Sequence, residues 1–508
     1  MAGALAVSVA GCSLVPQYQR PSLPLAQRFD GASSSLSSST SGSSSGSTAT
    51  PSLDATVPVE SGWWRAYRDP ALDVLVERSL RNNYSLASAV AAVEQAHGTA
   101  EKAGAPQYPS LGVSGTYDRE HRWRHGRGNT RSQSLYAEAS YEIDFWGFNA
   151  ANADSATLLA RGSEFDCDTV ALTLTASVVD TYFQVQSLRQ RLALAHTIAD
   201  DASRILQLLL AQQQAGVATE LQVQQQRNAL ATFEAAVPAL QQQLDASRHA
   251  LAVLAGSTPE QFEVADTPLA HIPVPQPRPD LPASLLERRP DIRSKEAQMQ
   301  SANFDVGAAR AAFLPTITLS ADAGFNSARA SQFLSSPFAS LLASLTAPVF
   351  DGGALRGQLH ASRGAAAKSV ADYRQTVIAA LQDVEDSLSA AQQQQRVEVA
   401  DQAAADAASK AATLADAQYR LGTVDFLTVL DAQRTRYQSE DTLVQARLAR
   451  LQASVSLFRA FGGGSVSTGD ASAAAPSTDA SIPAAPAAST PSAPTSSSSP
   501  SAPTSNPS

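Results

Sequence analysis

Four short stretches of this chain alternate strictly between apolar and polar residues, the pattern of strands whose two faces meet different surroundings. After Pro109, Leu111, Val113, Gly115 and Tyr117 alternate with Ser110, Gly112, Ser114 and Thr116. A second stretch sets Leu135, Ala137, Ala139, Tyr141, Ile143 and Phe145 against Tyr136, Glu138, Ser140, Glu142 and Asp144. Further on, Ile317, Leu319, Ala321, Ala323 and Phe325 alternate with Thr316, Thr318, Ser320, Asp322 and Gly324. The fourth, less pure, sets Leu341, Ala343, Leu345, Ala347 and Val349 against Ser340, Leu342, Ser344, Thr346 and Pro348. Each predicts a strand of about ten residues, enough for a tilted crossing of a hydrocarbon layer with one face to lipid and a polar, acidic face to a lumen. Four strands cannot close a barrel, since even small single-chain outer-membrane barrels need about eight. Three copies of the chain would supply twelve.

Between the strands the sequence reads as long helix. Phe148 to Gly216 would span roughly 100 Å if unbroken, at about 1.5 Å per residue. The return from Val217 to Ala255 covers roughly 60 Å, breaks at the proline-rich "HIPVPQPRPDLP" (His271 to Pro282), and resumes from Ala283 to Ala311 for roughly 43 Å. Descent and ascent therefore match. Glycine costs about 1 kcal/mol against alanine inside a helix, so Gly216 and Gly422 are expected at the far tips of two helical hairpins, where the chain reverses with positive φ.

One offset relates the two halves. Adding 206 takes Pro109 to Pro315, Ser114 to Ser320, Gly147 to Gly353, Asp180 to Asp386 and Gly216 to Gly422, without a gap. Proline, glycine and turn positions keep register, which makes tandem duplication the economical reading. The expected organisation is a signal peptide at 1–11, lacking the basic n-region such signals carry, as a truncated one would; a lipidated N-terminal segment at 12–30; a Ser-rich linker at 31–60, disordered from Gly31 to Pro58; repeat 1 at 61–255; a Pro-rich equatorial connection at 256–282; repeat 2 at 283–461; and a disordered Ser/Ala/Pro-rich tail at 462–508.

Composition narrows the function classes. Across 508 residues the net charge is −10, which argues against a nucleic-acid surface, and no run of eighteen apolar residues could form a transmembrane helix. The start "MAGALAVSVAGCSLVP" is an apolar run ending in small residues before Cys12, and "VAGC" resembles the bacterial lipoprotein signal, which makes Cys12 the expected site of lipid attachment. Cys167 reads as a small buried helix residue. No phosphate loop, nucleophile constellation or metal-ligand cluster stands out, so neither an enzyme nor a cofactor is expected.

"GCSLVPQYQRP", "WWRAYRDPALDVLVERSLRNN", "ERRPDIRSKEAQMQSANFDVGAARAAFLPTITL", "APVFDGGALRG" and "YRLGTVDFLTVLDAQRTRY" resemble the outer-membrane factor family of TolC-like efflux lipoproteins, NodT-type branch. The resemblance spans about Cys12 to Gly463. It implies a mixed α and β fold: a trimeric outer-membrane β-barrel, four strands per protomer, continuous with a long periplasmic α-helical barrel. It also implies a passive exit duct of a tripartite efflux or type I secretion system, working as a homotrimer with a periplasmic membrane-fusion adaptor and an inner-membrane transporter of the RND type. Matching the family's motifs places Leu427 and Asp431 in the periplasmic aperture and Tyr419 where the family has a tyrosine linking neighbouring hairpins; the tips at Gly216 and Gly422 would contact the adaptor. Val424 and Thr428 stand where some members carry a basic and an acidic residue, and Gln225 is the first-repeat counterpart of Asp431. The rival reading is a trimeric coiled-coil adhesin or envelope scaffold, which would show sustained heptads and no duplication.

Overall fold

The computed structural model describes residues 14–22, 56–57, 62–121, 129–277 and 285–463. In the first repeat, α1 (Pro70–Asn82) and α2 (Tyr84–Gly104) lead into β2 (Ser110–His121) and β3 (Asn129–Ile143). The chain then runs down α3 (Phe148–Gln214) and back along α4 (Glu220–Leu254). The second repeat has α5 (Pro290–Ala311), β5 (Thr316–Ser327), β6 (Pro337–Thr346), α6 (Ala354–Arg420) and α7 (Phe426–Ala460). Two short strands, β1 (Thr56–Val57) and β4 (Gln276–Pro277), pair in parallel beside the connection between repeats. Thr56 and Val57 are the two described residues of the stretch expected to be disordered, and they pair with the connection.

The duplication is exact in the backbone at most boundaries: β2 and β5, α3 and α6, and α4 and α7 begin and end at the spacing that separates Gly216 from Gly422. Both descending helices have 67 residues and both returning helices 35, so each descent is about 100 Å at 1.5 Å per residue. Local chemistry sets the ends. Asp69 caps α1 by accepting from Ala71 N–H, with Pro70 at the first helical position. Thr219 and Gln222 form a reciprocal capping box at α4, and Asp425 caps α7 by accepting from Thr428 N–H.

The sheet has the order β2-β3-β5-β6, every neighbour antiparallel. Its register sets Leu111 opposite Ala139, Ala139 opposite Ala321, and Ala321 opposite Leu341, so the apolar residues of all four strands share one face. That face is bare in the protomer: Leu111 is 79 % exposed and Leu345 69 %. Glu138 and Asp322 sit directly opposite one another on the polar face. The strands exceed the expected ten residues except at β6, which stops at Thr346, before Ala347, Pro348 and Val349. β3 likewise stops before Phe145, where the Asp144 carboxylate turns aside to accept from the N–H groups of Phe148 and Ala150, opening α3.

The main core lies where α1, α3, α4 and α7 meet, well away from the sheet. Trp63 stacks on Phe458 at 5.2 Å, and Tyr67 meets Phe183 edge-on at 5.0 Å. The Tyr182 hydroxyl donates to Asp69 at 2.6 Å, and Arg189 and Gln186 donate to the carbonyls of Val264 and Ala265, tying the inter-repeat connection to α3. Both ascending hairpin helices end alike: Gly256 (φ +63°) and Gly462 (φ +86°) terminate α4 and α7 at equivalent positions. At the same level Asn83 donates to the Leu254 carbonyl, and its image Arg289 donates to the Ala460 carbonyl.

Candidate functional site

The two hairpin tips use the same turn. Gly216 has φ +75° and Gly422 φ +73°. In each, the glycine N–H and the next residue's N–H donate back into the last helical turn: Gly216 to Gln213 and Val217 to Gln212, Gly422 to Tyr419 and Thr423 to Gln418. Nothing lies within 4 Å of a side chain built at either glycine, so the demand for glycine is conformational and not steric. Leu209, Val223 and Phe426 are buried together between the hairpins, and the Tyr419 ring meets Phe426 edge-on at 5.9 Å. The Tyr419 hydroxyl contacts Gln212 at 3.3 Å, joining the end of α6 to that of α3 within one protomer.

Leu427 and Asp431 share the exposed face of α7, four residues apart. They line a groove of about 610 Å³ between α7 and α4, with Leu221, Gln225, Asn228, Phe233, Leu430 and Arg434 among its walls. Leu221, which motif matching did not single out, is the first-repeat image of Leu427 and is exposed like it. Thr428 serves the helix start. Its hydroxyl and N–H both donate to Asp425, whose carboxyl is held below the usual range by the hydroxyl first and the backbone second. At the other tip Glu220 is likewise lowered, by Gln224 and then Gln213.

At the opposite end of the helices, aromatic side chains mark the junctions with the sheet. Tyr108, Phe145, Trp146, Phe313 and Phe350 are all exposed at the junctions of helix and strand, and Trp146 donates its indole N–H to the Pro315 carbonyl at 2.8 Å. Amphipathic rings at this level are what a membrane interface requires. The segment 14–22 runs along α5 in the reverse direction: Arg310 donates to the Leu14 carbonyl, Asn303 to that of Pro16, and Arg20 pairs with Glu296 at 2.6 Å. Gly307 makes this possible, because a side chain there would come within 2.5 Å of Val15. Leu14 and Val15 thus line one small cavity together with Phe145 and Trp146. Cys12 lies outside the described residues, two positions beyond Leu14.

Among the described residues no helix is long and apolar enough to cross a membrane, and no cluster of three metal-ligating side chains occurs. The family model described as outer membrane efflux protein matches residues 75–257 and again 281–463, two stretches related by the same offset as the repeats. This chain belongs to the outer membrane efflux protein family. It is 38 % identical over 412 residues to the pyoverdine export outer membrane protein OpmQ of Pseudomonas aeruginosa, covering 79 % of this chain and 87 % of that one. It is 30 % identical to the outer membrane protein OprJ of the same organism, covering 91 % and 94 %. Its fold superposes on the outer-membrane channel OprN with a TM-score of 0.80 at 29 % identity, over 89 % of this chain and 99 % of that one. As an outer membrane efflux protein it forms a homotrimeric channel, twelve strands in the outer membrane continuous with a periplasmic helical barrel. It is a passive duct and not an enzyme, and works with a periplasmic adaptor and an inner-membrane RND transporter. The adhesin or scaffold alternative is not favoured.

Proposed function

We propose that this efflux duct is gated at its periplasmic mouth by Leu427 and Asp431, and that an adaptor docks on the tips at Gly216 and Gly422. The observation that carries the reading is the shared groove between α4 and α7, in which Leu427 and its image Leu221 both stand exposed beside Asp431. Three copies give an apolar constriction of leucines and, one turn away, a ring of three carboxylates that draws cations into the mouth. An adaptor opens such a mouth only by contacts it makes better in the open state. Tyr419 supports closure by holding the second hairpin to the first. In planar-bilayer recordings of the reconstituted trimer, Leu427→Ala is expected to raise single-channel conductance; an unchanged conductance places the constriction elsewhere.

Cys12 is the lipid attachment point in this reading. Its support is the path of 14–22, which leads up to the cavity lined by Phe145 and Trp146 at the helix–strand junction. Mass spectrometry of membrane-extracted protein should show an acylated N-terminal Cys12, absent from Cys12→Ser; an unmodified Cys12 refutes the anchor. For cargo, the identity with a pyoverdine export protein makes pyoverdine-like small molecules the first to assay.

A further inference from the structure

Within the protomer the sheet ends in two edges, β2 on one side and β6 on the other. A barrel shared by three chains must join β6 of one chain to β2 of the next, and nothing so far says in which register. The duplication supplies it. β3 and β5 pair so that opposite residues have numbers summing to 460, from Gln133 with Ser327 to Ile143 with Ile317. β6 is the second-repeat image of β3, and β2 the first-repeat image of β5. Shifting one strand up and the other down by the same offset leaves the sum unchanged.

We propose that β6 pairs antiparallel with β2 of the neighbouring chain from Ala339 opposite His121 to Thr346 opposite Ser114, repeating at each subunit boundary the register found between the repeats. Two features independent of the duplication fit this register. It keeps the faces in phase, setting Ala343 and Leu345 on the same side as Tyr117 and Gly115. It also sets large against small at two places, the exposed Leu345 over Gly115 and the exposed Tyr117 over Ala343, a pairing seen inside the protomer where Leu319 faces Ala343 and Ala321 faces Leu341, beside larger pairs such as Ile317 with Leu345. A slip of two residues keeps the faces but spoils this. It would set Leu345 against Val113 and Leu341 against Tyr117, or Leu345 against Tyr117; Arg119 faces an apolar residue in either case, Leu341 in the proposed register and Ala343 in the second slip. The register has a consequence for the lumen, since the image of the opposed Glu138 and Asp322 is Ser344 opposite Thr116 of the neighbour. Acidic pairs and neutral pairs would then alternate around the wall.

Paired cysteines test the register in the assembled protein. Ser344→Cys with Thr116→Cys probes the lumen side, and Leu345→Cys with Gly115→Cys the lipid side; in an antiparallel ladder one of these two sets has the closer, non-hydrogen-bonded spacing. Oxidised in outer membranes, at least one pair should yield a covalent trimer on a non-reducing gel. Slipped pairs, Ser344→Cys with Ser114→Cys or Asp118→Cys and Leu345→Cys with Val113→Cys or Tyr117→Cys, should lose it and match the single-cysteine controls. Preferential linking of a slipped pair, or none above the controls in both register pairs, overturns the proposal. Trimer assembly is checked before oxidation. Because the two pairs face opposite sides of the wall, a variant that fails to assemble leaves the other pair to decide.

Discussion

The first hairpin turns at Gly216 and carries Leu221, Gln225 and Asn228 on its returning helix; the second turns at Gly422 and carries Leu427, Asp431 and Arg434 at the same three positions. The backbones agree in φ to a few degrees and in their hydrogen bonds, and the apolar member is leucine in both. Only the charged members differ. Duplication has kept the turn and the exposed leucine in both hairpins and put charge at these three positions in only one, so a trimer has six such leucines and, at the level of Asp431, one ring of carboxylates. Shape and charge at the mouth are therefore separable by substitution.

The largest contrast concerns glycines that share a conformation and differ in surroundings. A side chain at Gly256 would meet the Asn82 carbonyl oxygen at 2.2 Å, whereas at Gly422 nothing lies within 4 Å. Gly256→Ala should therefore force backbone apart at the equatorial core and sharply reduce the yield of folded trimer. Gly422→Val places a β-branched residue in the left-handed region, costing on the order of 1–2 kcal/mol at a solvent-exposed tip. Trimer should then still form while adaptor-dependent efflux falls. Measured trimer yield and efflux should split in that order; equal efflux in Gly422→Val and wild type would remove this tip as a docking point.

A smaller effect separates the repeats at the equator. Asp180, in α3, is mostly buried, and burial raises its carboxyl to about 7 despite the opposing Arg459; its image Asp386 is exposed and lines a cavity of about 500 Å³. Because folding raises the Asp180 carboxyl, the folded chain holds this proton more tightly than the unfolded one. The associated stability is full below the ordinary carboxyl value, near 3.8, and is lost as pH climbs to about 7. Asp180→Asn should flatten the dependence of trimer melting temperature on pH across that window. A profile identical to wild type would mean that Asp180 stays charged when folded.

Much of the fold could be read from the chain because its determinants are local or periodic. Alternation named the strands, matched helix lengths placed the tips, and Gly216 and Gly422 marked the reversals. Other features depend on residues that only the fold brings together. Tyr108, Phe145, Trp146, Phe313 and Phe350 are scattered in sequence and come to one level only at the helix–strand junctions, where all are exposed. Gly307 looks like an ordinary helix glycine until Val15 is seen against it. Thr428 reads as a missing acid at the mouth, yet its hydroxyl serves the Asp425 cap. Thr56 and Val57 sit in low-complexity sequence and pair only because the inter-repeat connection passes beside them.

The separation of shape from charge at the mouth is tested most directly by making the second tip resemble the first. Asp431→Gln gives the second repeat the residue that Gln225 supplies in the first, leaving Leu427, Leu221 and the glycine turns untouched. In single-channel recordings of the reconstituted trimer, block by multivalent cations should weaken strongly while the conductance of the resting channel changes little. Cation block as strong as in wild type would contradict the account and place the charged ring elsewhere along the tunnel.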